Sequence, residues 1–356
     1  MELLSVTMND GVKMRSDIEG KDNSSEDKSN YKIVRAGDMV YNSMRMWQGA
    51  NGISPWDGIV SPAYTVLKPR IPISNGFFAA LFKTYRLVNE FRKNSQGMTS
   101  DTWNLKYPQI ETIKTSIPAL AEQEQIDEFL TSLEKRIEKQ RTLVENFKKY
   151  KRGVIYELFV NPDSQFSIEM ANIPMTQLVT EYRNRSTEGL RVCSVAVNKG
   201  VVDQIEHLGR SFAASDTSHY GRVKFGDVVY TKSPTGDFPF GIVKQSKLKE
   251  DVAVSPLYGV YTPVSYATGN LIHAYFEQYQ YANNYICTLA QKGAKNTINI
   301  TNQRFLEKGI RFPVNECDRE YFSAMLDKLT EKAVAAEKML DFLLAQKRTL
   351  LAKMFI

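Results

Sequence analysis

The residues of this chain that are best suited to binding chemistry lie in a loop after an apolar run that ends at Tyr41. The loop contains one basic, one aromatic and two amide side chains: Asn42, Arg45, Trp47 and Gln48. In the major groove of DNA, arginine can form two hydrogen bonds with guanine, and asparagine or glutamine can do so with adenine. The sequence therefore predicts a loop that reads DNA bases. The alternative is that Met44, Met46 and Trp47 only fill a core.

Three further segments have the composition of DNA contacts. Residues 92–99 contribute Arg92, Lys93, Gln96 and Thr99. Residues 231–238 contribute Lys232, Ser233 and Thr235, and residues 291–297 contribute Lys292, Lys295 and Asn296. Basic and amide side chains around a glycine suit contacts with phosphates and base edges. A solvated loop is the alternative reading for these segments.

The sequence contains no recognisable catalytic motif. It has no Gly-x-Gly-x-x-Gly and no phosphate-binding loop. A methyltransferase that acts on a flipped base would need an Asp/Asn-Pro-Pro-Tyr/Phe loop, and the nearest string, residues 61–64, lacks the second proline. The three cysteines have no metal-type spacing, which favours reduced thiols and a cytoplasmic chain. We therefore predict no catalytic residue, no metal site and no cofactor in this chain, which we expect not to be an enzyme.

Two long helices are the elements that must position these loops. Apolar residues recur in steps of three and four at Ile126, Leu130, Leu133, Ile137, Val144, Phe147, Val154 and Leu158. A second series contains Phe322, Leu326, Leu329, Leu340, Leu343 and Leu350. This spacing is typical of a coiled-coil seam, which Gln140, Lys151 and Lys347 interrupt. We expect the helices to pair with each other. The alternative is that each packs on its own globular part.

The whole chain is one unit written twice. Ser5-Val6 and Gly37-Asp38 return 189 residues later, and the helix series returns after 196. The expected domains are 1–117, helix 118–160, 161–312 and helix 313–356. Each globular part shows short strands and turns followed by a helical patch, which predicts an α+β fold with an internal pseudo-two-fold repeat.

The net charge of +6 fits this division. Residues 1–117 have 15 basic against 12 acidic side chains, residues 161–312 have 16 against 13, and the two helical segments are neutral. Two modestly basic modules on a neutral scaffold are compatible with a polyanionic partner. A slightly basic cytosolic protein without such a partner explains the charge equally well.

At these residues the chain resembles the DNA-specificity (S) subunit of type I restriction-modification systems. The resemblance rests on Ile117-Pro118 before Glu122-Gln123, on the loop Tyr41–Gly49, and on residues 57–64. The second copy departs from the pattern, because Asp318-Arg319 replace Glu122-Gln123 and make its helix start less typical.

The resemblance implies two target-recognition domains, each reading half of a bipartite DNA target, separated by two antiparallel helices. It also implies methyltransferase and motor-nuclease partner subunits that use S-adenosylmethionine, ATP and Mg. The alternatives are a stand-alone DNA-modifying enzyme of unfamiliar type and a coiled-coil assembly protein without a DNA role.

The second copy has a lead-in that the first copy lacks. Residues 168–189 precede the position that corresponds to Met1 and include apolar Met175, Leu178 and Val179. We therefore expect the first domain to begin part-way through the fold, with an exposed apolar seat where its lead-in would lie. A truncated or rearranged start of the gene, or a piece supplied by another chain, would explain this difference.

Overall fold

A computed structural model describes residues 1–8, 10–22, 24–161, 164–182, 189–209, 217–292 and 298–355. The chain forms two compact units. Unit 1 contains residues 1–144 and 336–356, and unit 2 contains residues 145–335. The division therefore falls within both long helices. No helix among the described residues is long and apolar enough to cross a membrane.

Unit 1 begins with short strands and continues into helices. Its strands are β1 (Leu3–Thr7), β2 (Gly11–Met14), β3 (Lys32–Val34), β4 (Met39–Asn42), β5 (Asn51–Ile53), β6 (Gly58–Val60) and β7 (Tyr64–Leu67). Its helices are α1 (Asn75–Leu81), α2 (Tyr85–Asn94), α3 (Tyr107–Ile110) and the first part of α4 (Leu120–Phe159). Single 3₁₀ turns lie at Arg15–Asp17 and Met46–Gln48.

The strands of unit 1 form two sheets. One has the order β2-β1-β6-β3, in which β1 and β6 are parallel and the other pairs are antiparallel. The second has the order β5-β4-β7 and is antiparallel. Alternate residues point to one face of a strand. The inward set forms one core cluster: Leu4, Val6, Val12, Val34, Val40 and Val60.

Unit 2 contains the remaining strands. They are β8 (Met170–Pro174), β9 (Val179–Glu181), β10 (Val192–Ala196), β11 (Gly200–Asp203), β12 (Gly221–Val223), β13 (Val228–Tyr230), β14 (Val243–Gln245), β15 (Val252–Val254), β16 (Gly259–Pro263), β17 (Gln291–Lys292), β18 (Ile298–Asn299) and β19 (Gly309–Pro313). Its helices are α5 (Met175–Leu178), α6 (Gln204–Leu208), α7 (Tyr266–Glu277), α8 (Tyr279–Cys287), α9 (Asn302–Phe305) and the first part of α10 (Glu316–Met354).

One sheet has the same strand order in both units. In unit 2 the order is β11-β10-β15-β12, again with one parallel pair at its centre. The hairpin registers also correspond, because Thr7 faces Gly11 in unit 1 and Ala196 faces Gly200 in unit 2. These positions are separated by the 189 residues found in the sequence. Similar local patterns have therefore produced similar pairings in the two units.

The other large sheet differs between the units. In unit 2, β9 pairs with the outer edge of β16, and β8 pairs with β19. Among the described residues of unit 1, no strand pairs with the outer edge of β7. Ile117 is 38% exposed, whereas Phe312, its counterpart in unit 2, is fully buried. The expected apolar seat in the first domain stays a prediction, and this edge is where it would lie.

Each unit bonds a short helix to the beginning of a long one. In unit 1, the Ser74 hydroxyl, which caps α1, donates to Asp127 at 2.7 Å, and Gln123 accepts from the Ser74 backbone N–H. In unit 2, the Asn270 amide donates to the carbonyl and hydroxyl oxygens of Ser323. The sheet-bearing part of each unit is thereby fixed on the second or third turn of a long helix.

The two helix starts are more alike than the sequence predicted. Gln123 donates from Nε2 to the carbonyl oxygen of Pro118 at 2.9 Å. Arg319 donates from Nε to the carbonyl oxygen of Pro313 at 2.8 Å, and its guanidinium lies 5.5 Å from the Phe312 ring. The arginine thus makes the same bond as the glutamine with a longer side chain. The helices themselves begin slightly later than expected, at Leu120 and Glu316.

The predicted seam residues are all buried or half-buried. Ten are buried: Leu130, Leu133, Ile137, Val144, Val154, Leu158, Phe322, Leu326, Leu329 and Leu343. Ile126, Phe147, Leu340 and Leu350 are half-buried. In unit 1, Leu133 and Ile137 form a core cluster with Leu343. In unit 2, the seam residues belong to a larger core that also contains strand and helix residues of the globular part. The seam residues of unit 1 therefore pack between the two helices, as the pairing interpretation expects. Those of unit 2 also pack on their own globular part, as the alternative expects.

Polar contacts fix the helix direction within unit 1. Glu134 forms an ion pair with Lys347 at 2.8 Å, and Gln140 donates to the carbonyl oxygen of Ala336 at 2.9 Å. Residue numbers rise along one helix while they fall along the other, so these two segments are antiparallel. The seam interruption at Gln140 is satisfied by a backbone acceptor, as a buried amide requires.

We expect Leu343→Ala to lower the free energy of unfolding of unit 1 by roughly 2–5 kcal/mol, because it removes a buried side chain and leaves a cavity. Urea titration followed by circular dichroism would measure this loss. Phe342→Ala is the matched control, since Phe342 is 62% exposed on the same turn. Equal losses in the two variants would contradict burial of the seam.

Candidate nucleic-acid interface

The loop after β4 is held in one conformation by its own hydrogen bonds. Asn42 accepts from the backbone N–H of Met44 through Oδ1, and the Gly49 N–H donates to the carbonyl oxygen of Met46. Gly49 has φ +81°, a conformation that other residues rarely adopt. Arg45 and Gln48 are exposed on this frame, and Asn42 is half-buried.

The apolar residues of the loop divide between core and surface. Met46 is fully buried, so the core-filling alternative is correct for this side chain. Met44 is 42% exposed and does not fill a core. Trp47 is half-buried, and its indole N–H donates to the Met44 carbonyl oxygen at 3.2 Å. One face of the tryptophan therefore packs on the protein while the rest remains at the surface.

The structure brings the two candidate segments of unit 1 together. The Arg92 guanidinium lies 5.8 Å from the centre of the Trp47 ring, within the range of a cation–π contact. The loop lies close to α2 at Gly49: a Cβ added there would be only 3.2 Å from the Val88 side chain. Arg92 is exposed. One surface thus contains residues that are 45 positions apart in sequence.

A further aromatic residue completes this surface. The Trp103 ring packs edge-on against Trp47 with a centroid distance of 5.2 Å. We call the surface formed by Arg45, Trp47, Gln48, Arg92 and Trp103 the Trp47 face. Sequence reasoning missed Trp103, although a tryptophan shortly after a basic segment could have suggested it. Paired indoles beside two arginines provide both flat apolar surface and positive charge.

The other predicted residues of segment 92–99 are less favourably placed. Lys93 forms an ion pair with Glu90 at 2.7 Å on an exposed surface. Gln96 pairs through its backbone with Asn104, which leaves its side chain exposed. Thr99 belongs to a tight turn in which its N–H donates to the Thr102 hydroxyl. Of these three residues, only Gln96 is both exposed and held next to Trp103, through its bridge to Asn104.

The candidate loop of unit 2 has a different character. Lys232 has φ +55°, the only positive φ at a described residue other than glycine. Burial lowers the pKa of Lys232, and the nearby Glu181 charge opposes the shift. Ser233 is exposed, and Thr235 donates from its hydroxyl to the Ser233 carbonyl oxygen. The loop is ordered, but its lysine is half-buried and is a weaker candidate for a phosphate contact than an exposed one.

The last predicted segment is only partly described. Lys292 lies in β17, which pairs with β18. Lys295 and Asn296 lie outside the described residues. The proposed DNA contacts of this segment stay a prediction.

Unit 2 also contains a buried charged cluster that the sequence did not suggest. One carboxylate oxygen of Glu277 lies 3.2 Å from His273 Nε2 and 3.3 Å from Lys244 Nζ, and the other lies 3.0 Å from Lys151. Burial lowers the pKa of His273 to about 4, against the pull of Glu277. Burial alone would raise the pKa of Glu277, but His273 and the two lysines hold it well below its ordinary value.

The cluster explains one of the polar positions in the predicted seam. Lys151 interrupts the apolar series because it supplies charge to Glu277. His273 is satisfied by its two polar contacts, with Lys244 and with Glu277. Among the described residues, no group of three or more His, Cys, Asp and Glu side chains could hold a metal ion. The cluster is therefore an ion-pair network around one acid.

Comparison with known proteins identifies the domain in unit 1. Residues 14–145 match the family model of the type I restriction modification DNA specificity domain. This range contains the whole Trp47 face and the beginning of α4. Residues 14–145 are thus similar to the DNA specificity domains of type I restriction-modification systems. The resemblance predicted from the sequence is confirmed for this part of the chain, and it supports a role in DNA-sequence recognition.

Solved structures of specificity subunits resemble the chain along most of its length. The type I restriction-modification S subunit from M. genitalium has a TM-score of 0.59 at 14% identity, covering 91% of this chain and 84% of its own. The HsdS subunit from Thermoanaerobacter tengcongensis has a TM-score of 0.44 at 15% identity, covering 93% and 83%. The first likeness shows that the chain shares the mixed α and β fold of that structure. No curated protein sequence was found to match the chain.

The buried histidine His273 makes unit 2 sensitive to acid. The pKa of His273 is about 4 in the folded state and about 6.5 when unfolded, so the unfolded chain binds the proton more readily. Stability is therefore complete above pH 6.5 and falls as the pH drops towards 4, by up to about 3 kcal/mol. Thermal unfolding between pH 7.5 and 4.5 would measure this.

His273→Gln should flatten the pH dependence in that window, although it also lowers the overall stability. His219→Gln is the control, because His219 lies on an exposed turn of the same unit. An unchanged slope in His273→Gln would show that other groups set the acid sensitivity.

Proposed function

We propose that the chain is the non-catalytic reader of a type I restriction-modification complex and that its two globular parts each recognise half of a bipartite DNA target. The observation that carries this proposal is the Trp47 face. The loop after β4 and the segment 92–99, each with side chains suited to DNA contacts, meet there through Arg92 and Trp47. Arg45 and Gln48 would read base edges, and Arg92 would contact the phosphate backbone.

Unit 2 would read the other half-site with a different set of loops. Its strand frame corresponds to that of unit 1, whereas residues 231–238 share little with residues 42–51. A common frame with divergent loops suits two readers of two different sequences. The residues proposed for this second half are Lys232, Ser233, Thr235, Lys292, Lys295 and Asn296.

The long helices would form an antiparallel coiled-coil spacer that fixes the distance between the half-sites. This part of the proposal is supported within unit 1 by the contacts of Gln140 and Lys347 with the opposite helix. The exposed faces of the helices would dock methyltransferase subunits that use S-adenosylmethionine. Motor-nuclease subunits that use ATP and Mg would complete the complex. Because its substrate is cellular DNA, we propose that the chain acts in the cytoplasm.

Selection of bound sequences from a random DNA pool, with the chain in complex with its methyltransferase, would test the proposal. We expect a bipartite consensus with a fixed gap. The chain alone, incubated with that DNA and labelled S-adenosylmethionine, should transfer no label. A continuous consensus, or methyl transfer by the chain alone, would contradict the proposed role.

Arg45→Ala should relax discrimination at one base pair by about 1–3 kcal/mol, because a guanine would lose two hydrogen bonds. Binding to a panel of targets with single base-pair changes would measure this. Arg136→Ala, an exposed arginine of α4, is the control and should leave the panel unchanged. A uniform loss of affinity for every target would instead make Arg45 a phosphate contact.

Exchange of residues 168–312 for the second module of another reader should change one half of the consensus and leave the other half unchanged. The modules should behave independently because each unit has its own core clusters. The same selection experiment provides the measurement. A change in both halves would contradict the modular reading.

A further inference from the structure

Unit 1 contains a large cleft at the place where unit 2 has its buried charged cluster. The cleft has a volume of 860 Å³, and the matching cavity in unit 2 has a volume of 180 Å³. Both lie between a sheet, a short helix and a long helix of their own unit. The difference in volume arises from the side chains at corresponding positions.

The strand register gives the first correspondence. Val40 in β4 faces Gly52, whereas Val229, the residue 189 positions later, faces Lys244. Unit 1 therefore has a glycine where unit 2 has a lysine. A Cβ at Gly52 would lie 2.8 Å from the Cα of Gly11, so this backbone contact excludes a side chain.

The helices give two more correspondences. Tyr85 begins α2 and Tyr279 begins α8, which aligns residues 194 positions apart. On that alignment Ala79 takes the place of His273, and Lys83 takes the place of Glu277. The cation on the long helix is retained, because Lys347 corresponds to Lys151 after 196 residues. Unit 1 has thus lost the acid at the centre of the cluster and has a second cation in its place.

Four of the five acids that line the cleft have partners, among them Glu138 with Arg141, and the fifth, Glu124, is exposed. Glu134 pairs with Lys347 at 2.8 Å, and Asp10 pairs with Arg141 at 3.1 Å and Lys13 at 3.3 Å. Asp127 accepts from the Ser74 hydroxyl. Lys83 is half-buried and forms no ion pair with a described residue. Burial lowers the pKa of Lys83 and the charge of Lys347 lowers it further, whereas the charges of Glu134 and Asp10 oppose the shift. A half-buried cation beside a second cation and without a direct ion pair is unfavourable, so an anion bound here would stabilise the site.

We propose that the cleft of unit 1 binds a small organic anion whose carboxylate or phosphate group lies between Lys83 and Lys347. The ligand's charge would take the place that Glu277 holds in unit 2. Leu130, Ile137 and Leu344 line the cleft beside these lysines and would contact an apolar part of the ligand. The volume is in the range of small-molecule sites, and the combination of apolar wall and few charged groups is typical of them.

Benzoate and phenyl phosphate are suitable probes, because each joins an apolar ring to one of the two anionic groups. Isothermal titration calorimetry at constant ionic strength should give a dissociation constant of about 1 mM or lower for at least one probe. Binding of one probe alone assigns the anionic group. If neither binds, the proposal is wrong.

Lys83→Glu provides the sharper test, because it would restore the acid that unit 2 has at this position. The variant should melt at a higher temperature than the wild type without ligand, since Lys347 gains a buried partner. It should also bind the probes about tenfold less tightly or not at all. Arg86→Glu makes the same charge change at an exposed position of α2 and should show neither effect.

Lys83→Met distinguishes the loss of the cation from the gain of an acid. It removes the cation without adding an acid, so it should weaken probe binding while it leaves the DNA consensus unchanged. Wild-type probe affinity in both Lys83 variants would overturn the proposal, and so would a lower melting temperature of Lys83→Glu than of Lys83→Met.

Discussion

The attachment of each globular part to a long helix is the contact on which the positions of all other elements depend. In unit 1 it consists of Ser74 bonded to Gln123 and Asp127. The contact is close, because a Cβ at Gly76 would lie 2.0 Å from the Asp127 carboxylate. Only glycine allows α1 to approach α4 at this point. The cap of α1, its carboxylate acceptor and this glycine therefore act together to place the sheets on the helix.

The same attachment in unit 2 uses different chemistry. Asn270 corresponds to Gly76 and reaches Ser323 with its own side chain, and Asp327 accepts from Lys247 and Tyr266. A side chain in unit 2 thus fills the space that close backbone contact removes in unit 1. The strand frame has been kept while the residues between sheet and helix have been replaced.

The sequence was sufficient to predict the elements whose pattern is local. The seam from Ile126 to Leu158 indicated a long helix, and α4 extends from Leu120 to Phe159. The Gly37-Asp38 turn between two apolar runs indicated the break between β3 and β4. Both predictions rest on periodicity and turn chemistry, which neighbouring residues determine. The residue types at positions 123 and 319 differ, so the sequence did not indicate that both side chains bond to the carbonyl oxygen of a preceding proline.

The candidate site depended on long-range contacts and was therefore less predictable. Arg92 and Trp47 were both chosen from composition, but only the fold showed that Gly49 packs beside Val88 and brings them together. The basic segment before Trp103 could have suggested it as a candidate, but its contact with Trp47 joins residues 56 positions apart and only the fold shows it. The Glu277 cluster was missed for the same reason, since Lys151 and Lys244 come from a long helix and a strand far apart in the chain.

The outer edge of β7 has a consequence for the behaviour of the chain in concentrated solution. A strand whose edge is unpaired can hydrogen-bond with a strand of another molecule, which is a common beginning of aggregation. Here the strand is only four residues long, and exposed Lys68 and Arg70 follow it on either side of Pro69. Lys32 also donates to the carbonyl oxygens of Pro62 and Tyr64 at its start. Proteins discourage such pairing with short edge strands, with charged side chains and with proline, which has no backbone N–H. All three features occur at or directly after β7.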